Sequence, residues 1–218
     1  MSIDFQVLMS ALSVKRPIFH SEADFQHAFA WEMHERLNRK ADLFLEYPIR
    51  ATCGNMFVDI FVNDKGERFA IELKYKTRDL KHDVYSLKKH GAHNLGRYDY
   101  LADLMRIESF INKGEIDAGY AIMLTNDDLY WEESEKTAST PFPISGNTII
   151  QAGMQLSFDE NASRGGIGKC RLENPIQLMD TYQCKWKNYS HLCKDARGGM
   201  FRYLLLEAKR KMPAAKLP

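Results

Sequence analysis

Two short, mostly apolar stretches separated by a polar turn dominate the pattern in the first half of the chain. They cover residues 56–62 and 68–75. Residues 63–66 between them, Asn-Asp-Lys-Gly, have the composition of a tight turn between antiparallel strands, so we expect a β-hairpin. Because strand side chains alternate between the two faces of a sheet, Glu72 and Lys74 should project from one face and Leu73 from the other.

The pattern around the hairpin predicts two helices and further strands. Ser21 begins a helix that runs to about Arg39, because a serine followed by an acid three positions later is typical of a helix start. Apolar spacing predicts another helix at residues 98–112, and strands are expected at residues 43–49 and 117–125. The order helix, three strands, helix and strand indicates a mixed α/β sheet.

The residues after Asn126 have a weaker pattern. Residues 127–145 form a long polar connection, whereas residues 182–189 and 201–206 are aromatic segments that we expect to be strands packing a further layer. We therefore predict one domain, 1–218, with a core at residues 20–125 and a C-terminal β-rich elaboration of unknown role at residues 126–218.

The charge of the chain is balanced overall but locally basic. The net charge is only +1, which does not indicate a nucleic-acid binder. Between Lys74 and Arg97, however, there are seven cations and two anions, directly after the hairpin. This region is either a solvated loop or a surface that contacts phosphate groups. The cations predicted to contact phosphates are Lys76, Arg78, Lys88, Lys89 and Arg97.

Nothing in the sequence indicates a membrane or an oxidising compartment. The four cysteines include no CxxC pair, which is typical of free thiols in a reducing compartment. Asp4 interrupts the first residues, so they do not form an apolar leader, and no apolar run approaches the length of a membrane span. We therefore expect a cytoplasmic protein.

Two acids and a lysine interrupt the apolar strands of the hairpin. Asp59 lies on the first strand, and Glu72 and Lys74 lie on the second. Charges in a core strand are costly unless they are paired, so the three side chains should form a cluster. Carboxylate oxygens suit Mg²⁺ or Mn²⁺, and such an ion can polarise a phosphoryl oxygen and activate a bound water. The purely structural alternative is a cross-strand ion pair between Asp59 and Lys74 on a solvated face.

These residues resemble the motif of the PD-(D/E)XK nucleases, the restriction-endonuclease-like superfamily that includes archaeal Holliday-junction resolvases. Asp59 precedes Glu72 by thirteen residues, and Glu72-Leu73-Lys74 matches the E-x-K element. The predicted elements also match the family's αβββαβ core, within residues 20–125. The resemblance implies that Asp59 and Glu72 bind metal and that Lys74 is the catalytic lysine. One departure is Val58, where the family commonly has proline.

The family also places an acid in its first helix that assists metal binding and catalysis. Glu22 is our first choice for this residue and Glu32 the second. The resemblance thus implies a deoxyribonuclease that uses Mg²⁺ or Mn²⁺ and acts on DNA, and that could form a homodimer. The alternative is a catalytically silent module of nuclease fold that binds nucleic acid or a protein partner. The DNA structure recognised, and whether cleavage is internal or from an end, stay open.

Overall fold

A six-stranded mixed sheet lies at the centre of the protein. The computed structural model describes residues 3–51, 54–133, 140–158, 171, 173–193 and 197–210. Within these ranges the three long α-helices are α1 (Phe5–Lys15), α2 (Glu22–Arg36) and α3 (His93–Asn112). The strands, in chain order, are β1 (Asp42–Ala51), β2 (Gly54–Asp64), β3 (Glu67–Lys76), β4 (Leu80–His82), β5 (Tyr85–Leu87), β6 (Ala118–Thr125), β7 (Ile149–Ile150), β8 (Gln155–Leu156), β9 (Ile176–Gln177), β10 (Tyr182–Gln183), β11 (Lys187–His191) and β12 (Met200–Lys209).

The strand order in the central sheet is β1-β2-β3-β6-β12-β11. Strands β3 and β6 are parallel, and all other neighbours are antiparallel. The predicted hairpin is confirmed as β2 and β3. Its turn places Lys65 and Gly66 at positive φ, and the Gly66 amide donates to the Asn63 side chain at 3.1 Å. This is the turn chemistry that a two-residue hairpin loop requires.

Helices cover both faces of the sheet. The apolar side chains of α1 and α2 pack on one face, and those of α3 pack on the other. Strand β6 between these layers is buried along its whole length, as its continuous apolar run predicts. The predicted helices and strands are present as α2, β1, β2, β3, α3 and β6, but the short hairpin β4–β5, which was not predicted, lies between β3 and α3. The predicted cap is also present, because Ser21 Oγ accepts from the Asp24 amide at 3.1 Å.

Two boundaries differ from the prediction. Helix α3 begins at His93, five residues earlier than expected, because Gly96 lies inside the helix rather than in a loop. A Cβ at Gly96 would lie 2.3 Å from the Tyr130 hydroxyl oxygen, so only glycine allows this close approach. Helix α2 ends at Arg36, because Asn38 and Arg39 have positive φ and leave the helical conformation.

The predicted C-terminal strands are present, but the expected further layer is found only for residues 182–183, in β10, and not for the rest of the two aromatic segments. Strands β12 and β11 extend the central sheet, with β12 antiparallel to β6 from Arg202 to Lys209. Alternate residues of β12 are buried against both helical layers, so this strand belongs in the middle of a sheet. The short strands β7–β10 pack over the α3 face instead. There the buried Glu108 carboxylate accepts from the amides of Met179 and Asp180.

No helix in the described ranges is both long enough and apolar enough to cross a membrane.

Candidate active site

The hydrogen-bond ladder between β2 and β3 ends just before the predicted site residues. Its last pair is Ile60 with Ile71, and the next pair would have been Asp59 with Glu72. Beyond this point β2 continues to pair with β1 only, as far as Gly54. We call residues 73–77, whose alternate amides face the space left by β2, the open edge of β3.

Two carboxylates take the place of the missing strand. The Leu73 amide donates to Asp59 Oδ2 at 2.6 Å, and the Tyr75 amide donates to Glu22 Oε2 at 2.7 Å. These amides are two residues apart, so they lie ~7 Å from each other along the strand. Both bonds satisfy backbone donors that would otherwise be unpaired. They also fix the two carboxylates in one row beside β3.

Helix α2 holds this opening in shape through Gln26, one turn after Glu22. Gln26 Nε2 donates to the Asp59 carbonyl oxygen at 2.7 Å and to Glu46 Oε1 at 2.9 Å. Glu46 has a positive φ, and the pair that it would form with Asp59 is absent from the β1–β2 ladder. Gln26 therefore positions Asp59 through its backbone. Sequence analysis missed Gln26, although its spacing of four residues from Glu22 puts both on one helix face.

Glu72 and Lys74 project toward α3, whereas Leu73 packs in the cluster formed with α1 and α2, so the predicted faces are confirmed. The Lys74 ammonium lies 2.5 Å from Asp103 Oδ2. Glu72 Oε1 lies 2.5 Å from Arg106 Nη2, and the same nitrogen is 2.9 Å from Asp103 Oδ1. Glu72 and Lys74 thus both have an ion-pair partner on α3.

Asp103 and Arg106 are functional candidates that sequence analysis missed. They lie three residues apart on the buried face of α3, among Leu101, Leu104 and Ile107. A charged pair on an otherwise apolar helix face is the signal that could have identified them.

Burial and repulsion by neighbouring carboxylates raise the pKa values of Asp59 and Glu72. Burial raises the pKa of Asp59 to about 6; the Leu73 amide and Lys74 oppose the rise, whereas Asp103 and Glu22 add to it. Burial also raises the pKa of Glu72, with a further contribution from Asp103, while Arg106 lowers it. Buried groups with such shifts are typical of functional sites.

Lys74 remains charged in this environment. Burial disfavours its ammonium, but Asp103, Glu22 and Asp59 more than offset that effect and raise the pKa of Lys74 above its ordinary value. Counting Arg106 as well, two cations face four carboxylates in the cluster. The carboxylates are those of Glu22, Asp59, Glu72 and Asp103. If all four carboxyl groups were ionised, the site would carry an excess of negative charge.

These residues have the right chemistry for a hard divalent cation, although they do not form a complete ligand shell. Among the described residues, no group of three or more Asp, Glu, His or Cys side chains is arranged to hold a metal ion. The donors of Asp59, Glu72 and Glu22 are all carboxylate oxygens, which suit Mg²⁺ or Mn²⁺. One buried atom here, Arg106 Nε, has no hydrogen-bond partner, whereas Asp103 Oδ2 contacts only the Lys74 ammonium. Full coordination would require Glu72 to exchange Arg106 for the ion.

Glu32, the second choice for the helix acid, lies elsewhere. Its buried carboxylate contacts Lys15 at 2.6 Å and Arg36 at 2.9 Å, in the contact between α1 and α2. Burial alone would raise the pKa of Glu32, but these two cations lower it below the ordinary value. Of the two glutamates, Glu22 is therefore the one beside Asp59 and Lys74.

Two of the predicted phosphate-binding cations make their contacts within the protein. Arg97 is only 4% exposed, donates to the Leu129 carbonyl and lies 5.3 Å from the centre of the Tyr130 ring. Arg78 forms an ion pair with Asp128 at 2.7 Å. For Arg97 or Arg78 to contact a phosphate, these internal contacts would have to break. Lys76 is half-buried, whereas Lys88 and Lys89 are exposed.

Comparisons of the chain with models of known protein families, with curated proteins and with solved structures give no match, so its function has to be inferred from the open edge of β3 itself.

Proposed function

We propose that the protein is a metal-dependent nuclease with a core of the PD-(D/E)XK type, which hydrolyses phosphodiester bonds in DNA. One observation supports this most strongly. Glu22, Asp59, Glu72 and Lys74 come from three different elements, yet they converge where β2 separates from β3. With Asp103, four carboxylates lie close together here, and Glu72 and Asp103 are buried. This arrangement costs stability, and such a cost is typical of a site kept for its chemistry.

Asp59 and Glu72, assisted by Glu22, would hold Mg²⁺ or Mn²⁺. The bound ion would polarise a phosphoryl oxygen and lower the pKa of a water molecule. Lys74 would donate hydrogen bonds to the attacking oxygen and to the negative charge that develops on the phosphate. Its raised pKa keeps the ammonium protonated for this role at neutral pH.

Arg106 would move between two partners during metal binding. In the structure it compensates both Glu72 and Asp103. When an ion takes its place at Glu72, Arg106 can keep its bond to Asp103, three residues earlier on the same helix. The exchange avoids leaving a buried arginine without a partner, which would be costly.

Three lysines near the end of β3 would position the DNA backbone. Lys76 directly follows the site on β3, and Lys88 and Lys89 follow the β4–β5 hairpin. Contacts between lysine and phosphate supply affinity but do not read base sequence.

Cleavage of DNA is the direct test. Plasmid, linear, single-stranded and branched DNA should be incubated with the protein in Mg²⁺, in Mn²⁺ and in EDTA. We expect cleavage of at least one substrate with metal and none in EDTA. Cleavage that continues in EDTA, or no cleavage of any substrate, would contradict the proposal.

One observation favours a second candidate, a catalytically silent module that binds nucleic acid or a protein partner. Glu72 and Lys74 already have ion-pair partners on α3, which could be permanent. The two candidates predict different responses to Mg²⁺. If the ion binds only the folded protein, a concentration one hundred times the Kd should raise the Tm by about 5–10 °C relative to NaCl of equal ionic strength. An unchanged Tm would favour the silent module.

Glu22 and Glu32 offer a matched pair of variants on one helix. We expect Glu22→Gln to weaken Mg²⁺ binding by roughly tenfold or more, the usual effect of removing a supporting carboxylate. We expect Glu32→Gln to leave Mg²⁺ binding unchanged and to lower the free energy of unfolding by about 1–3 kcal/mol, because the amide keeps only one of the two acceptor oxygens and removes the negative charge that faces Lys15 and Arg36. Calorimetric Mg²⁺ titration and urea denaturation measure the two effects. Equal Mg²⁺ affinities in both variants would remove Glu22 from the site.

A further inference from the structure

A third side chain continues the row along the open edge of β3. The Thr77 amide, two residues after that of Tyr75, donates to His90 Nδ1 at 3.1 Å. Asp59, Glu22 and His90 therefore accept from the amides of residues 73, 75 and 77 in turn. His90 comes from a different part of the chain, after the β4–β5 hairpin, yet it continues the line of the two acids.

The backbone around His90 is fixed to the end of β3 by two further bonds. The His90 amide donates to the Thr77 carbonyl at 2.7 Å, and Thr77 Oγ1 donates to the Lys88 carbonyl at 2.6 Å. This segment is therefore held against the strand, although the His90 side chain is exposed.

The hydrogen bonds at Nδ1 determine which ring nitrogen carries the proton. An amide N–H can only donate, so His90 Nδ1 is an acceptor and the neutral ring has its proton on Nε2. Thr77 Oγ1 is also 3.3 Å from Nδ1, but its hydrogen points to the Lys88 carbonyl. Within the described ranges no residue bonds to Nε2. His90 thus presents an unused N–H donor.

The surroundings keep this donor neutral. Burial and the neighbouring Lys76 ammonium lower the pKa of His90, although Glu22 opposes them. A second proton would also have to sit on Nδ1, directly against the Thr77 amide hydrogen. A neutral N–H donor beside a lysine ammonium suits an anionic oxygen acceptor, because the hydrogen bond and the positive charge both favour it.

We propose that His90 Nε2 and Lys76 form a subsite for a second phosphodiester of the DNA strand, next to the one that is cleaved. This inference rests on the proposed nuclease function. The spacing supports it, because successive members of the row follow β3 in steps of ~7 Å. A step of this size is comparable to the separation of neighbouring phosphates along a nucleic-acid strand. His90 is a binding and positioning residue here, not a proton donor in the reaction.

Two substitutions separate the role of Nε2 from that of Nδ1. His90→Asn keeps a side-chain oxygen near Nδ1 that can accept from the Thr77 amide, but it lacks the distal donor. His90→Gln places an amide N–H near the position of Nε2. His27→Asn is the control, because His27 is an exposed histidine on α2 away from the site.

Binding of a fluorescein-labelled DNA duplex with single-stranded ends should be measured by anisotropy, in EDTA so that no cleavage occurs. We expect His90→Asn to bind roughly tenfold more weakly than wild type, the usual effect of losing a hydrogen bond to a charged acceptor. His90→Gln should bind more tightly than His90→Asn, while His27→Asn should match wild type. The Tm of His90→Asn should equal that of wild type, because the structural bond is kept.

Ring ¹⁵N spectra provide a readout that does not depend on cleavage. We expect His90 to carry its proton on Nε2 at pH 7, and the Nε2 signal to move when the same duplex is added. Three results would overturn the subsite. They are equal DNA affinity of wild type and His90→Asn, no binding of the duplex by either protein, and a proton on Nδ1 of His90. Cleavage by wild type together with an unaffected His90→Asn variant would overturn the subsite alone. Binding through His90 without cleavage would instead overturn the nuclease proposal.

Discussion

Substitution of Lys74 by methionine is expected to slow DNA cleavage by roughly a hundred- to a thousandfold, the usual effect of removing one donor that stabilises a developing negative charge. Methionine has a similar length and fills the same space, but it cannot donate a hydrogen bond. Asp103 keeps its bond to Arg106 in the variant, so the site stays compensated in part. Single-turnover cleavage with saturating protein measures the chemical step without the influence of DNA affinity.

Lys76→Met is the matched control for this experiment. Lys76 is the next residue of β3 on the same face, but it is half-buried and has no carboxylate partner among the described residues. We expect it to weaken DNA binding severalfold and to leave the single-turnover rate almost unchanged. A Lys74→Met protein that is folded and cleaves DNA at the wild-type rate would show that Lys74 is not catalytic.

Asp59→Asn is expected to abolish metal-dependent activity and, at the same time, to stabilise the metal-free protein. The asparagine oxygen can still accept from the Leu73 amide, so the geometry at the open edge is preserved. The variant removes a buried negative charge that is repelled by Asp103 and Glu22. It also removes a carboxylate that we propose as a metal ligand. Function and stability should therefore change in opposite directions.

The sign of the stability effect follows from the pKa of Asp59, which is about 6 in the folded protein against an ordinary value of 3.8. The folded state binds more protons than the unfolded state between these values, so the contribution of Asp59 to stability is lost as the pH rises through this window. Asparagine does not titrate, so its contribution to stability does not change with pH. We expect the free energy of unfolding of the variant to exceed that of wild type by a difference that grows from pH 4 to pH 7 and reaches about 1–3 kcal/mol.

Urea denaturation in EDTA at several pH values measures this difference directly. Comparing the two proteins at each pH cancels the titration of carboxylates elsewhere. Asp24, Glu32 and Asp117 have lowered pKa values and act in the opposite direction. An Asp59→Asn protein that is less stable than wild type at pH 7 would contradict the repulsion inferred at this site.

The sequence was sufficient to predict the hairpin and the faces of its side chains, because both depend on local alternation and turn chemistry. It could not show that β2 leaves β3 at Asp59. That separation depends on Glu22 and Gln26 of α2, which bond to backbone groups more than thirty residues away. It also depends on His90, which lies beyond a short hairpin that the pattern did not reveal.

The distribution of charged residues along the sequence likewise did not show which of their side chains are buried. Arg97 and Lys88 look equivalent in a basic stretch, but one is buried over Tyr130 and the other is exposed. The partners of Glu72 and Lys74 are on α3, about thirty residues later, where nothing local links them to β3. A sequence does not show which strand a new strand will pair with, so it could not show that β11 and β12 join the central sheet.

Anomalous diffraction from crystals soaked in Mn²⁺ tests the central claim most directly. We expect a peak bordered by the carboxylates of Asp59 and Glu72, with Arg106 withdrawn from Glu72 and still bonded to Asp103. An empty site at saturating Mn²⁺, with the Glu72–Arg106 pair intact, would contradict the claim that the open edge of β3 is a metal centre.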